Sequence, residues 1–293
     1  MSCGRNSFTL HTPGGHSSIP PAHTGIGILS DVVHTLEANP FKPKLGLENP
    51  TFGLLTCAAE HGALDKHLRK DVLAGTGPSS LAAKARARAA SAFAKLGLPQ
   101  KFLVATSQAT DIISSGVKVN ALPELGFVTV NYRVSVDESI AELEQTVTAH
   151  ILPVADRFGL DVVAFGKEYS FRPAGSVASP GKLVIETTGS NEVAPVSPST
   201  AADSPAWALF AGSIRHAYAH LGQDVIVAPS LMTGGTDTKF YWNLSRNIWR
   251  FTPMDKTKSA NQHTVGEKLF FDDHISAVWL FHELIRNADA AEL

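Results

Sequence analysis

The sequence predicts an α/β protein in two parts: an α+β unit of ferredoxin-like order, then a second α/β segment. Three observations carry this. Residues 7–166 alternate between runs with the period of a strand and runs with the period of a helix. Residues 167–205 shift to a linker composition, with Pro173, Pro180, Pro195, Pro198 and Pro205 among many Ser, Thr and Gly. Beyond them helical and short apolar runs return, so the chain divides into 1–169 and 170–293.

Taken in order, Ser7–His11 (SFTLH) alternates and is rich in β formers, and Pro13, Gly14 and Gly15 end it. Residues 22–38 place Ile26, Leu29, Val33 and Leu36 at helical spacing, an amphipathic helix of about four turns. Thr51–Ala58 (TFGLLTCA) reads as a buried strand, 62–73 and 81–96 as helices, and 101–110 and 117–119 as strands. Residues 125–136 alternate strongly through Phe127, Val128, Val130, Tyr132 and Val134. Asp137 is placed to cap a long helix over 138–158, and Pro153 is expected to kink its last turns. Residues 161–165 close the set as another strand, so two main helices lie on a sheet as a split βαβ pair with a helical insertion. In the second part, 182–187 reads as a strand within the linker and 207–221 as a helix. Residues 224–228 and 248–251 read as strands, 240–242 as a short segment between them, and 267–288 as a final amphipathic helix.

Composition narrows the function classes. The 293 residues are 44% hydrophobic and 18% charged, enough to bury a full core in one large or two medium domains, as in a soluble globular protein. The net charge is −2 and no Lys/Arg cluster is interleaved with aromatics, which argues against nucleic acid. The densest basic run, KARAR at 84–88, falls in an Ala-rich helical stretch and reads as a solvated face. Cys3 and Cys57 offer neither a disulfide framework nor a CxxC metal signature. With no long apolar run and no leader-like start, neither a membrane span nor a signal peptide is expected.

Several stretches place polar residues where chemistry could lie, and each also has a plain structural reading. In PGGHSS, residues 13–18, His16 stands on a loop behind two glycines, either as a turn residue or as a presented donor. Asn120 opens a Pro-containing turn and Arg133 follows 13 residues later on a strand; turn chemistry and a rim charge would also account for them. Gly234-Gly235-Thr236-Asp237 makes a tight loop whose N–H groups either face an anion or only turn the chain. His263, in NQHTVGEKLF, precedes the final helix as a cap, a surface residue or a ligand.

In this order, PGGHSSIPP before an amphipathic helix, N-x-L-P with its later Arg, GGTDTKFYWNL, and HTVGE before a terminal helix resemble the zinc metallopeptidase family twenty. Within it they resemble the carboxypeptidase S-like enzymes, with their aminoacylase-type relatives. The resemblance covers nearly the whole chain. It implies a catalytic α/β domain holding two zinc ions, interrupted by a lid of a four-stranded sheet and two helices through which two copies pair as a homodimer. Residues 1–169 match that lid/dimerisation domain, and 170–293 match the C-terminal part of the catalytic domain. His16 and Asn120 are then implied to reach into the partner copy's active site and stabilise the oxyanion on the scissile carbonyl. Arg133 is implied to grip the substrate carboxylate with its planar fork. Gly234, Gly235, Thr236 and Asp237 are implied to line the substrate pocket, and His263 to be a zinc ligand.

The family's other ligands and its general base precede the lid, and here no His-x-Asp and no adjacent Glu-Glu occurs. The one helical His pair, His216 and His220, lacks the Glu of an H-E-x-x-H site. The expectation is thus a fragment of a zinc-dependent carboxypeptidase or amidohydrolase that cleaves peptides or N-acyl amino acids with a free carboxylate. The alternative is a non-catalytic truncated protein that serves as a lid-mediated dimerisation module. The sequence does not give the compartment; likeness to fungal carboxypeptidase S implies only that the vacuole is open to it.

Overall fold

Strand β1 (Ser2–His11) runs through the middle of a six-stranded sheet. The computed structural model describes residues 2–171, 179–188, 197–200, 203–222, 224–254, 261 and 264–291. β1 pairs antiparallel with β5 (Leu125–Val134) on one side and with β8 (Lys182–Thr187) on the other. β3 (Ser107–Ser115) forms the edge beyond β5, while β6 (Asp161–Ala164) and β7 (Lys167–Ser170) lie beyond β8. Helices α1 (Gly25–Ala38) and α6 (Ile140–Phe158) cover one face.

The period of two explains which face they cover. Phe8 and Leu10 of β1, Val128, Val130, Tyr132 and Val134 of β5, and Leu183 and Ile185 of β8 all point into one core with Leu29, Val32, Leu36, Leu143, Val147 and Ile151 of the helices. Each such side chain contributes about 1.5–3 kcal/mol on burial. The alternate residues, among them Arg5, Thr9, Thr129 and Arg133, remain partly or fully exposed, the pattern of an antiparallel sheet with one covered face. Cores also hold few polar groups without partners, and here Tyr132 Oη and Asn6 Nδ2 are buried with none among the described residues.

A helical insertion separates α1 from β3: α2 (Pro50–Glu60), α3 (Lys66–Ala74), α4 (Ser80–Ala94) and α5 (Leu98–Val104). It has a core of its own, with Phe52, Leu55, Leu68, Val72, Phe93 and Val104. Polar contacts stitch it to the loop after β5. Asn49 Nδ2 donates to Asp137 Oδ2 at 2.6 Å, Ser135 N–H donates to Thr106 Oγ1 at 2.9 Å, and Lys44 Nζ pairs with the nearly buried Glu138 at 2.9 Å.

Several local expectations are corrected. Residues 51–58 are helical, because Asn49 caps the helix and Pro50 stands at its first turn; an apolar run of that length suits a buried helix as well as a strand. Residues 101–110 divide between α5 and β3, and 117–119 form an exposed turn. The stretch 62–73 becomes helical only from Lys66, behind the Asp65 cap. α1 buries Ile28, Leu29, Val32 and Leu36 and leaves Ile26 exposed, so its apolar face is rotated from the one expected. α6 is capped by Ser139 and not Asp137, through a capping box with Glu142. In KARAR, Lys84 and Arg88 are exposed as a solvated face expects, while Arg86 donates to the carbonyls of Gly75 and Gly77 at 2.7 Å each and Arg88 pairs with Asp71, so the run also ties helices together. The strand at 182–187 forms, but inside the sheet between β1 and β6, so the sheet reaches to Thr187.

Towards the C-terminus, α7 (Pro205–Tyr218) packs on α8 (Phe271–Ala290) through Phe210, Ile214, Ala217 and Leu280. Trp249 stacks on Phe210 with ring centroids 4.5 Å apart, and Asn287 Nδ2 donates to Ser213 Oγ at 2.9 Å. Residues 224–228 and 248–251 do not form the expected strands. A strand is completed by its ladder, and no described segment pairs with either. Residues 240–242 belong to a 3-10 turn and the one after it, and the last helix begins at Phe271, four residues later than expected.

Candidate functional site

The loop that follows β1 carries His16 into a short strand, β2 (Gly15–His16), which pairs antiparallel with β4 (Ala121–Leu122). Gly15 faces Leu122, His16 faces Ala121, and Ser17 N–H donates to the Asn120 carbonyl at 3.4 Å. His16 and Asn120, far apart in sequence, therefore stand at one exposed edge. The β1–β5 ladder leads into this edge, since Thr12 N–H donates to the Glu124 carbonyl at 3.0 Å. His16 Nδ1 lies 2.7 Å from Ser18 Oγ and accepts the Ser18 backbone N–H at 3.2 Å.

Arg133 lies in the six-stranded sheet, at the end of β5 away from the separate β2–β4 ladder. It is the penultimate residue of β5, opposite Cys3 on one side and Ser107 on the other. From Leu125, at the His16 end of β5, eight steps of about 3.3 Å put it about 26 Å away. Its half-buried side chain has no ion pair and no side-chain hydrogen bond among the described residues, which leaves the fork open to a carboxylate.

The Gly234–Asp237 loop is held by Arg250, whose Nη1 donates to the Gly234 carbonyl at 2.6 Å. Thr236 caps the 3-10 turn Asp237–Tyr241, with its Oγ1 2.9 Å from Thr238 Oγ1, and Asp237 is exposed. Thr236 and Asp237, but not Gly234 or Gly235, line a cleft of about 2430 Å³ that is also lined by Leu98, Pro99, Phe102 and Leu103 of the helical insertion. That is well above the ~300–1,000 Å³ of a small-molecule pocket.

His263 lies outside the described residues. His216 Nε2 stands 3.5 Å from Glu283 and His220 Nδ1 stands 2.9 Å from the Ala217 carbonyl, so the two do not converge on a common ligand. Among the described residues, no three His, Cys, Asp or Glu side chains gather as a metal-holding group. A dinuclear centre needs at least three protein ligands per ion, so these residues by themselves do not fit one. Also among the described residues, no helix is long and apolar enough to cross a membrane. Ser18 stands outside the residues that the sequence marks as candidates, and its place two residues after His16 is the available signal for it.

No family model matches the chain. Among solved structures it resembles an M20 family metallo-carboxypeptidase, Sso-CP2 from Sulfolobus solfataricus, with a TM-score of 0.51 over 97% of this chain and 58% of that one. It resembles the di-peptidase Dug1p from Saccharomyces cerevisiae at the same TM-score, over 100% of this chain and 55% of that one. At 13% identity in both cases the likeness establishes the fold alone, a mixed α/β fold of the M20 peptidase kind.

Sequence comparison goes further. Carboxypeptidase S of Saccharomyces cerevisiae is 34% identical over 283 residues, which are 94% of this chain and 47% of that protein. The N-fatty-acyl-amino acid synthase/hydrolase PM20D1 of Mus musculus is 26% identical over 277 residues, 94% of this chain and 47% of that protein. The chain belongs to the M20 metallopeptidase family, among its carboxypeptidase S-like members. It spans about half the length of the curated relatives it matches.

Proposed function

We propose that this chain supplies the substrate-gripping part of a zinc-dependent hydrolase that cleaves the amide bond of peptides or N-acyl amino acids with a free carboxylate. The observation that carries the reading is that Arg133 stands at the end of β5 away from the His16–Asn120 edge, about 26 Å from Leu125 at the near end. A substrate of one or two residues is much shorter than that. Two copies that pair through the sheet, each lending its His16 edge to the other's Arg133, bring both sets of groups to one substrate.

The chemistry suits the division. Amide cleavage places negative charge on the carbonyl oxygen, and one positioned donor there is worth about 3–4 kcal/mol in comparable sites. His16 and Asn120 both carry N–H groups and both are exposed. Arg133 is always charged, and a carboxylate matches its two parallel N–H bonds. Thr236 and Asp237 of the Gly234–Asp237 loop line the cleft for the rest of the substrate. The substrate classes are those in the names of the relatives, a carboxypeptidase and an N-fatty-acyl-amino acid hydrolase. In this reading the water-activating groups and most zinc ligands come from outside the described residues, His263 being one ligand.

The test compares turnover of an N-acyl amino acid and of its carboxyl amide by the enzyme that carries this chain. A strong preference for the free acid is expected. Equal turnover of both substrates would overturn the reading, and a protein that pairs but turns over neither would be the dimerisation module instead.

A further inference from the structure

His16 is exposed, yet its ring is held from one side. Nδ1 accepts the Ser18 backbone N–H at 3.2 Å and lies 2.7 Å from the Ser18 hydroxyl. A main-chain N–H can only donate, and this fixes the role of the nitrogen it meets. In a neutral ring Nδ1 is then the bare acceptor and the proton sits on Nε2. The hydroxyl rotates to suit its surroundings, and beside a bare Nδ1 it donates to the same lone pair. The opposite tautomer would set an Nδ1–H against the Ser18 N–H and lose that bond.

The turn that makes these contacts is itself fixed. Ile19 N–H donates to the His16 carbonyl at 3.1 Å, and Ser17 N–H donates to the Asn120 carbonyl at 3.4 Å. His16 is in register with Ala121, the neighbour of Asn120. Pro20 and Pro21 follow directly, and their locked φ angles restrict the chain beyond Ile19.

We propose that Ser18 is a positioning residue that holds His16 in the Nε2–H tautomer, so that the ring presents one outward N–H donor to a substrate oxyanion. The oxyanion rests on the hydrolase reading; the tautomer is a property of this chain alone. A donor on Nε2 needs no proton uptake, because the neutral ring already carries it. Asn120 brings a second N–H-bearing side chain to the same edge.

The test begins with nitrogen-15 NMR of the histidine-labelled chain at alkaline pH, with His16→Gln used to assign the ring resonances. His16 is expected to show a single neutral tautomer, with protonated Nε2 and bare Nδ1. A protonated Nδ1, or the averaged shifts of a freely exchanging imidazole, would overturn the proposal. Ser18→Ala should move the His16 shifts toward that average and Ser18→Thr should restore them; no change in Ser18→Ala would remove Ser18 from the role. In the active enzyme, Ser18→Ala should lower kcat about tenfold at nearly constant KM, with Ser18→Thr restoring it. A raised KM at unchanged kcat would count against the assignment. If the enzyme turns over no amide at all, the hydrolase reading fails, while the NMR result still decides the tautomer.

Discussion

Arg133 owes its proposed role to what it lacks. A guanidinium on a half-buried strand position usually has a carboxylate beside it, and here none is found among the described residues. Arg133→Lys keeps the charge but replaces a planar fork by a point ammonium. We expect it to raise KM for carboxylate-bearing substrates about tenfold while kcat changes little, as steady-state kinetics on the free acid and its amide will show. Tyr132, on the opposite face of the same strand, is fully buried, with no hydrogen-bond partner for its hydroxyl among the described residues. Burial pushes its phenol well above the usual value. The folded state thus keeps Tyr132 neutral while the unfolded chain ionises near pH ~10, so this stability is fully present below that pH and is lost as pH rises beyond it. Tyr132→Phe should be at least as stable as the wild type at neutral pH, since it removes an unpartnered polar atom. Its advantage should widen above about pH 10, which urea denaturation at neutral and alkaline pH will measure.

Elements show how local chemistry is joined to distant contacts. Asn49 caps α2 through its Oδ1, which accepts the Thr51 N–H at 2.9 Å, and its Nδ2 donates to Asp137 beyond β5. One buried side chain thus starts a helix and anchors the insertion to the loop that follows Arg133. Asn49→Ala removes both contacts and leaves Asp137 short of a partner. The expected cost is about 2–3 kcal/mol in chemical denaturation, more than the ~1 kcal/mol of a surface cap. Strand β8 makes a different case. It bridges β1 and β6, with Phe8 opposite Ile185 and Val162 beside Leu183. A chain cut after residue 166 would leave β6 with no ladder to β1 and would expose the Phe8 and Leu10 edge. Residues 1–187 should therefore unfold cooperatively as an isolated unit and 1–166 should not, a difference that circular dichroism melting will reveal.

At the scale of the whole molecule, apolar surface remains uncovered on the C-terminal part. Phe271, Ile275, Val278, Trp279 and Ile285 of α8 are 73%, 51%, 57%, 52% and 68% exposed, a stripe along one helix. Together with the cleft of about 2430 Å³, this leaves a large apolar area of the described residues open to solvent. The same holds for metal. A tight zinc site takes three or four protein ligands, and the described residues bring no such group together. We expect the purified 293-residue chain to retain fewer than two zinc ions after dialysis against a chelator. Elemental analysis will check this, and two retained ions would reveal a ligand set in the residues around His263.

Much of the protein was legible because its determinants are local. The alternation of residues 125–134 and the helical spacing of 140–158 each lie within one segment, so β5 and α6 could be read directly. The order of the motifs from His16 to His263 identified the family in the same way. Some of the corrected features are also local: the Asn49–Pro50 start and the Ser139 capping box are both written in the sequence. Other features could not be read from any one segment. The meeting of His16 with Asn120 depends on β2 finding β4, and the place of Lys182–Thr187 between β1 and β6 depends on strands far away in the chain. The apolar runs at 224–228 and 248–251 remained unpaired, for a ladder takes its hydrogen bonds from a neighbour that the run itself does not specify. The sequence by itself determined the local periods that define β5 and α6; only the tertiary structure decided that the β2–β4 ladder with His16 stands beyond one end of β5 and Arg133 near the other, because pairing and register are long-range.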